Sequence, residues 1–222
     1  MIKKSILFFL LFNMLYGSEI VPVKKLDMLE TLKTMSTQSH GKYSGFLLGV
    51  VYLNGDREKD IEKNIDLAIK YFKKDENNLA YADYLLGYIY SNNGNLDESV
   101  RYFKKASSIK TVDSKEVAPV AFASLGYVYL DRLHDEEKAL QSLLESSALK
   151  PIARVDFTIA LIYYTAKKPI RNTELAEIYL NRAYENADDA FKKHIMRYVQ
   201  NPLGSNQTSC TDNKGKLCPD KI

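Results

Sequence analysis

Apolar residues recur along most of this chain at spacings of three and four, the period of a helix with one buried face. The clearest stretch runs from Tyr81 to Ala106, YADYLLGYIYSNNGNLDESVRYFKKA. It predicts two short helices joined at Asn92-Asn93-Gly94-Asn95, where turn residues interrupt the apolar pattern. Variants of the same pair precede and follow it. The first hairpin covers 42–75: Tyr43 to Leu53 is its first helix, Asn54-Gly55-Asp56 stops that helix, and Ile61 to Lys74 is its second. The central hairpin covers 79–109, the third about 116–150, and the fourth 152–187. Val23, Leu26, Leu29, Leu32 and Met35 mark an amphipathic helix over 19–38, expected to cover the first open end of the stack. Phe191, Ile195 and Val199 mark a closing helix over 188–200.

A small residue sits in each first helix, at Gly49, Gly87, Gly126 and Ala160, at separations of 38, 39 and 34 residues. Ala68, Ser99, Ala139 and Ala176 are the small partners on the second helices. Missing bulk lets two helices approach closely. A Tyr follows each small residue by three (Tyr52, Tyr90, Tyr129, Tyr163) and is expected to fill the gap beside it. One hairpin cannot bury its own apolar face, so neighbours must stack.

Leu86-Gly87, Tyr90, Ser99, Phe103 and Ala106 resemble the tetratricopeptide repeat in type and spacing, with Ser in place of the usual Ala. The third hairpin matches with one inserted residue and ends in Pro151. In the fourth, Ala160 and Ala176 have the spacing of the related Sel-one-like repeat, and Asp56 to Lys63 gives the first hairpin that repeat's longer connection. The resemblance covers about 40–190. It implies an all-α, right-handed α-solenoid of about four hairpins (42–187) with capping helices, whose concave face binds proteins or peptides.

The family's concave positions fall on Tyr43, Phe46, Val50, Tyr81, Tyr84, Tyr88, Ala123, Tyr127, Phe157, Leu161 and Tyr164. Phe46, Tyr81, Tyr84, Tyr88, Tyr127, Phe157 and Tyr164 are the partner-binding candidates, because aromatic rings give large contact area at low entropic cost. The alternative is that some pack on the N-terminal helix or between repeats. Tyr84 and Tyr88 stand where some tetratricopeptide proteins carry the Lys and Asn that hold a C-terminal carboxylate, which argues against that mode.

Composition adds little to this picture. With 16 Tyr, 9 Phe and no Trp, tyrosine is the main aromatic of core and groove. Lys and Arg exceed Asp and Glu by only 31 to 28, so no nucleic-acid partner is demanded. Met1-Ile2-Lys3-Lys4, the apolar run Ser5 to Leu15 and Tyr16-Gly17-Ser18 have the layout of a secretory signal peptide over 1–17, cleaved close to Gly17 or Ser18. The apolar run falls short of the roughly 20 residues of a permanent span. An uncleaved anchor is the alternative. Cleavage leaves 29 basic against 28 acidic residues. The expected location is the bacterial periplasm or outside the cell, with a protein or peptide partner in the cell envelope.

Cys210 and Cys218 lie in a polar tail, 201–222. An oxidising compartment favours a disulfide between them. Metal binding is the rival, and two Cys at this spacing with no His nearby make a poor zinc site. No catalytic set is found and no cofactor is expected. His40, His134 and His194 are scattered. Ser39-His40-Gly41-Lys42 and Ser107-Ser108-Ile109-Lys110 fit the Ser-x-x-Lys nucleophile pattern, but neither has the accompanying Ser-Asp-Asn or Lys-Thr-Gly. The functional expectation is a non-enzymatic interaction adaptor, with a cell-wall-active or β-lactam-hydrolysing enzyme on the same fold as the alternative.

Overall fold

The computed structural model describes residue 33 and residues 43–55, 61–74, 79–108 and 114–200. The segment 19–38, apart from Lys33, and the tail with Cys210 and Cys218 lie outside the described residues. Four helical hairpins follow one another: α1 (Ser44–Asn54) with α2 (Ile65–Lys73), α3 (Ala80–Asn92) with α4 (Leu96–Ser108), α5 (Ser114–Tyr127) with α6 (Glu136–Leu149), and α7 (Ala153–Thr165) with α8 (Thr173–Asn186). A last helix, α9 (Asp189–Gln200), packs its apolar edge, centred on the buried Ile195, against the fourth hairpin. The helices of each hairpin pack on each other, and neighbouring hairpins share apolar clusters, so the core is continuous along the stack. The architecture is an α-solenoid.

Each hairpin closes in the same way. A Cβ placed on Gly49 would lie 2.5 Å from Phe72, on Gly87 2.7 Å from Phe103, and on Gly126 2.6 Å from Leu143. The bulk that fills the gap beside each glycine therefore comes from the second helix. The expectation that the repeat tyrosines fill it is corrected. Those tyrosines instead stack on a second-helix tyrosine one position before the bulky residue: Tyr52 on Tyr71 at 5.6 Å, Tyr90 on Tyr102 at 5.5 Å, and Tyr163 near Tyr179 at 6.0 Å. In the third hairpin that position holds Ser142. Tyr129 there takes Lys104 and Lys138 over its ring at 5.9 and 5.7 Å. Ser99, at the usual alanine position, satisfies its buried hydroxyl by donating to the Gly87 carbonyl oxygen at 2.9 Å.

The turns differ in length but end identically. The residue entering each second helix is Asn64, Asn95, Asp135 or Asn172. Its N–H donates to the carbonyl of Tyr52, Tyr90, Tyr129 or Tyr163 at 2.8, 2.9, 2.9 and 2.9 Å. Its side-chain oxygen accepts from the N–H three residues on, at Leu67, Glu98, Lys138 or Leu175. One residue thus tethers the loop and caps the helix. The first hairpin's second helix accordingly starts at Ile65, behind Asn64, and not at Ile61, which is buried outside it. The residue inserted in the third hairpin is taken up by a π-helical turn, Val128–Arg132, in which Leu133 N–H donates to the Val128 carbonyl at 3.1 Å. Such a bulge adds one residue without moving the flanking helix faces.

Candidate functional site

The inner row of first helices carries the aromatic residues in question. On α3, Tyr81, Tyr84 and Tyr88 are spaced three and four and so share one face. On α1 the same register falls on Phe46 and Val50. The two faces meet. Phe46 lies 5.9 Å from Phe72 and 5.8 Å, edge-on, from Tyr81. Tyr81 stacks at 5.9 Å on Tyr84, which lies 5.7 Å from Phe103. A row of touching rings thus begins on core residues of the first hairpin and ends on a core residue of the second.

Exposure separates the residues of this row. Tyr81 is 43% and Tyr88 50% exposed, unusually high for rings on a packed helix. Phe46 and Tyr84 are half-buried, and Tyr84 also packs beside Ala80, Ala106, Val117 and Ala121. Tyr84 is therefore a floor for its neighbours, and Tyr81 and Tyr88 offer the open surface.

The row does not extend through all the expected positions. Tyr127 on α5 is half-buried, its hydroxyl pairs with Thr158 on α7, and burial pushes its phenol up from the ordinary range. Tyr164 is half-buried on α7, near Tyr198 of α9. Phe157 is 7% exposed and corrects the expectation of a groove-lining ring. Phe191, His194 and Tyr198 of α9 surround it at 5.6, 5.6 and 5.5 Å. The closing helix needs an apolar seat, and Phe157 supplies it. His194 is a stacking partner here, 5.5 Å from Phe191, and the Arg154 guanidinium lies 4.9 Å over the Phe191 ring.

The sequence reading missed two buried carboxylates at equivalent repeat positions, four residues before the small residue. Asp83 on α3 pairs with Lys105 of α4 at 2.9 Å. Asp156 on α7, fully buried, accepts from the Ser147 hydroxyl of the preceding hairpin. Arg182 of α8 lies with Nε 3.1 Å from Asp156 Oδ2, an ion pair without hydrogen-bond alignment, and donates Nη2 to the Ser147 carbonyl at 2.5 Å. Burial raises the Asp156 carboxyl above its ordinary range, against the smaller opposing pull of Ser147 and Arg182. The signal was an Asp inside an apolar helix with a cation on the next helix. Such a carboxylate is rare in a core unless it has partners.

Of the Ser-x-x-Lys matches, Ser39 lies outside the described residues and the Ser107 hydroxyl donates to the Lys104 carbonyl at 3.0 Å. Among the described residues no three His, Cys, Asp or Glu come together as a metal site would require. None of the described helices is long and apolar enough to cross a membrane.

This stack of helical hairpins presenting a first-helix surface is similar to repeat scaffolds of the tetratricopeptide and Sel-one-like kind. Residues 82–112 match the tetratricopeptide repeat model, and that stretch contains most of the central hairpin. Three solved structures share the fold. A Sel1 repeat protein from Oxalobacter formigenes superposes with a TM-score of 0.57 at 18% identity, covering 86% of this chain and 76% of that one. MamA gives 0.53 at 22% identity, covering 75% and 88%. A protective antigen of uropathogenic Escherichia coli strains displaying an SLR fold gives 0.59 at 18% identity, covering 80% of this chain but 38% of that one. No curated protein sequence matches the chain.

Proposed function

We propose that the protein is an exported, non-enzymatic adaptor of the bacterial periplasm or cell envelope, holding a protein or peptide partner on the inner face of its first two hairpins. The observation that carries this reading is the ring row Phe46–Tyr81–Tyr84, in which Tyr81 is 43% exposed, continued along α3 by Tyr88 at 50%. Exposed tyrosines on a rigid helix add little to stability, and as interface anchors each is worth about 2 kcal/mol. The repeat class supports protein binding. The Lys3-Lys4, apolar, small-residue order at the N-terminus supports export. Intact-mass measurement of protein from its native host tests export: a mass retaining Met1 to Leu15 overturns it. Affinity capture from the envelope fraction, comparing the wild type with the Tyr81→Ala/Tyr88→Ala double variant, tests the surface. Loss of capture at unchanged helicity supports it, and undiminished capture refutes it.

A further inference from the structure

We infer that the cleft between α8 and α9 is a binding site for a phosphomonoester, separate from the aromatic row and independent of the adaptor reading. The cleft has a volume of about 380 Å³ and is lined by Tyr184 of α8 and by Lys192, Lys193, Met196, Arg197 and Gln200 of α9. A cavity of that size takes a small organic molecule. The residues of α9 divide between two faces. Ile195, with Phe191, Tyr198 and Val199, packs on the fourth hairpin. Lys193, Arg197 and Gln200, spaced four and three, share another face, with Lys192 and Met196 beside it.

Three cations line this cleft, and no carboxylate is among its described lining residues. Solvated helix surface elsewhere in the protein looks different. On α4, Arg101 pairs with Glu98 three residues before it, and at the start of α6 Lys138 pairs with Asp135 in the same way. On α9 the residues three and four before Arg197 are His194 and Lys193, so Arg197 meets a like charge at a spacing that destabilises a helix. Asp188 caps the helix instead, accepting from the Phe191 N–H at 2.8 Å. Lys192 lies over the Tyr184 ring, 5.6 Å from its centre, which holds its ammonium at the cleft wall. Among the described residues none of the three cations is in an ion pair. Positive charge gathered in this way calls for an anion from outside the chain.

The donor set selects the anion. A guanidinium presents a planar fork to two oxygens of one phosphate, and each ammonium adds a compact charge with three donors. A phosphomonoester brings about two negative charges and several acceptor oxygens. The half-buried Met196 and the Tyr184 ring give an apolar wall to the ester's organic group. A soluble organic phosphate and a phospholipid headgroup both present this chemistry, and the test separates them.

The full chain is titrated calorimetrically with phenyl phosphate and, separately, sedimented with phosphatidylcholine vesicles containing phosphatidic acid. At least one probe is expected to bind, and Lys193→Gln/Arg197→Gln is expected to weaken that binding by about tenfold or more at unchanged circular dichroism. Lys70→Gln/Lys115→Gln removes the same charge from exposed positions elsewhere and is expected to bind as the wild type does. Binding of phenyl phosphate assigns the cleft to a soluble ester, and binding of vesicles alone assigns it to a headgroup; either supports the inference. No binding of either probe, binding that survives the cleft variant, equal weakening in the control variant, or benzoate bound as tightly as phenyl phosphate overturns it. Partner capture and the residues Tyr81 and Tyr88 enter none of these readouts, so failure here leaves the adaptor reading where it was.

Discussion

The sharpest consequence of the packing concerns Gly87. In an exposed helix, Gly→Ala gains about 1 kcal/mol from propensity alone. At this position a Cβ would meet the Phe103 ring at 2.7 to 2.9 Å on three atoms, where carbon atoms rest about 3.5–4.0 Å apart. The ring cannot swing aside. It is 2% exposed and also abuts Tyr84 at 5.7 Å. Relief requires α3 and α4 to part, which also lengthens the 2.9 Å bond from Ser99 to the Gly87 carbonyl. Overpacking of this kind costs about 1–3 kcal/mol. We expect the clash to outweigh propensity, so that Gly87→Ala loses about 2 kcal/mol and Gly87→Leu about 3 kcal/mol. For a chain of this size the alanine variant's melting temperature then falls by about 4–8 °C.

A double-mutant cycle isolates the cause. Phe103→Leu in the Gly87→Ala background should recover part of the loss, with a favourable coupling of about 1 kcal/mol or more, because the smaller side chain can turn away from the new methyl. Thermal or urea melts followed by circular dichroism measure all four proteins. A Gly87→Ala protein as stable as the wild type or more so, or a cycle that closes to zero coupling, would mean that the small residue is not where the helices meet. The register of all four hairpins would then need revision.

Three further outcomes are expected. His134 sits at φ 53°, the position where Gly94 has φ 79° in the preceding hairpin. A side chain pays about 1–2 kcal/mol there, so His134→Gly should raise stability in melts, and a fall would refute the strain. Asn172→Ala removes the cap of α8 and should cost about 1 kcal/mol, whereas Asn172→Asp should be tolerated; equal losses would refute the capping role of the side-chain oxygen. For Asp156 the folded carboxyl is raised above its unfolded value, so its contribution is most favourable below that unfolded value and is lost as pH rises through the folded one. Arg182→Met removes the cation paired with it and should steepen this loss between acid and neutral pH, and Asp156→Asn should abolish it; parallel pH–stability curves for the three proteins would contradict the assignment.

The fold could be read from the chain because the repeat puts its packing rule into residue size. Gly49, Gly87, Gly126 and Ala160 recur in phase, and a glycine inside a helix is costly enough to signal close approach. What periodicity could not supply was the residue opposite. Phe72, Phe103 and Leu143 lie at differing distances in sequence from their glycines, because the connections differ, so the repeat tyrosines were the nearer choice. The cap residues were hidden for the same reason. Asn64, Asn95, Asp135 and Asn172 are unremarkable in loops rich in Asn, Asp and Lys, and only the shared bond to the preceding tyrosine's carbonyl shows that four loops of unequal length perform one task.

The candidate surface was legible only to the level of a helix face. Spacing of three and four puts Tyr81, Tyr84 and Tyr88 on one stripe, and the contacts with Phe46 agree with that. Spacing does not say whether a stripe meets solvent or another helix, which is decided by elements distant in sequence. Phe157 holds the same repeat position as Tyr84 and has a different fate, because the helix that follows the fourth hairpin folds back onto it. An inner face at the end of a stack is the natural seat for a closing helix, since the terminal hairpin has no neighbour to bury it. At the other end α1 is apolar all round and its Phe46–Val50–Leu53 face is half-buried. Phe157 is lost to α9, Phe46 and Tyr84 are half-lost to packing, and Tyr88, the most exposed ring of the row, lies farthest along α3 from the Phe46 contact. A partner that reads this protein through its tyrosines should therefore depend on Tyr88 more than on any other residue of the set.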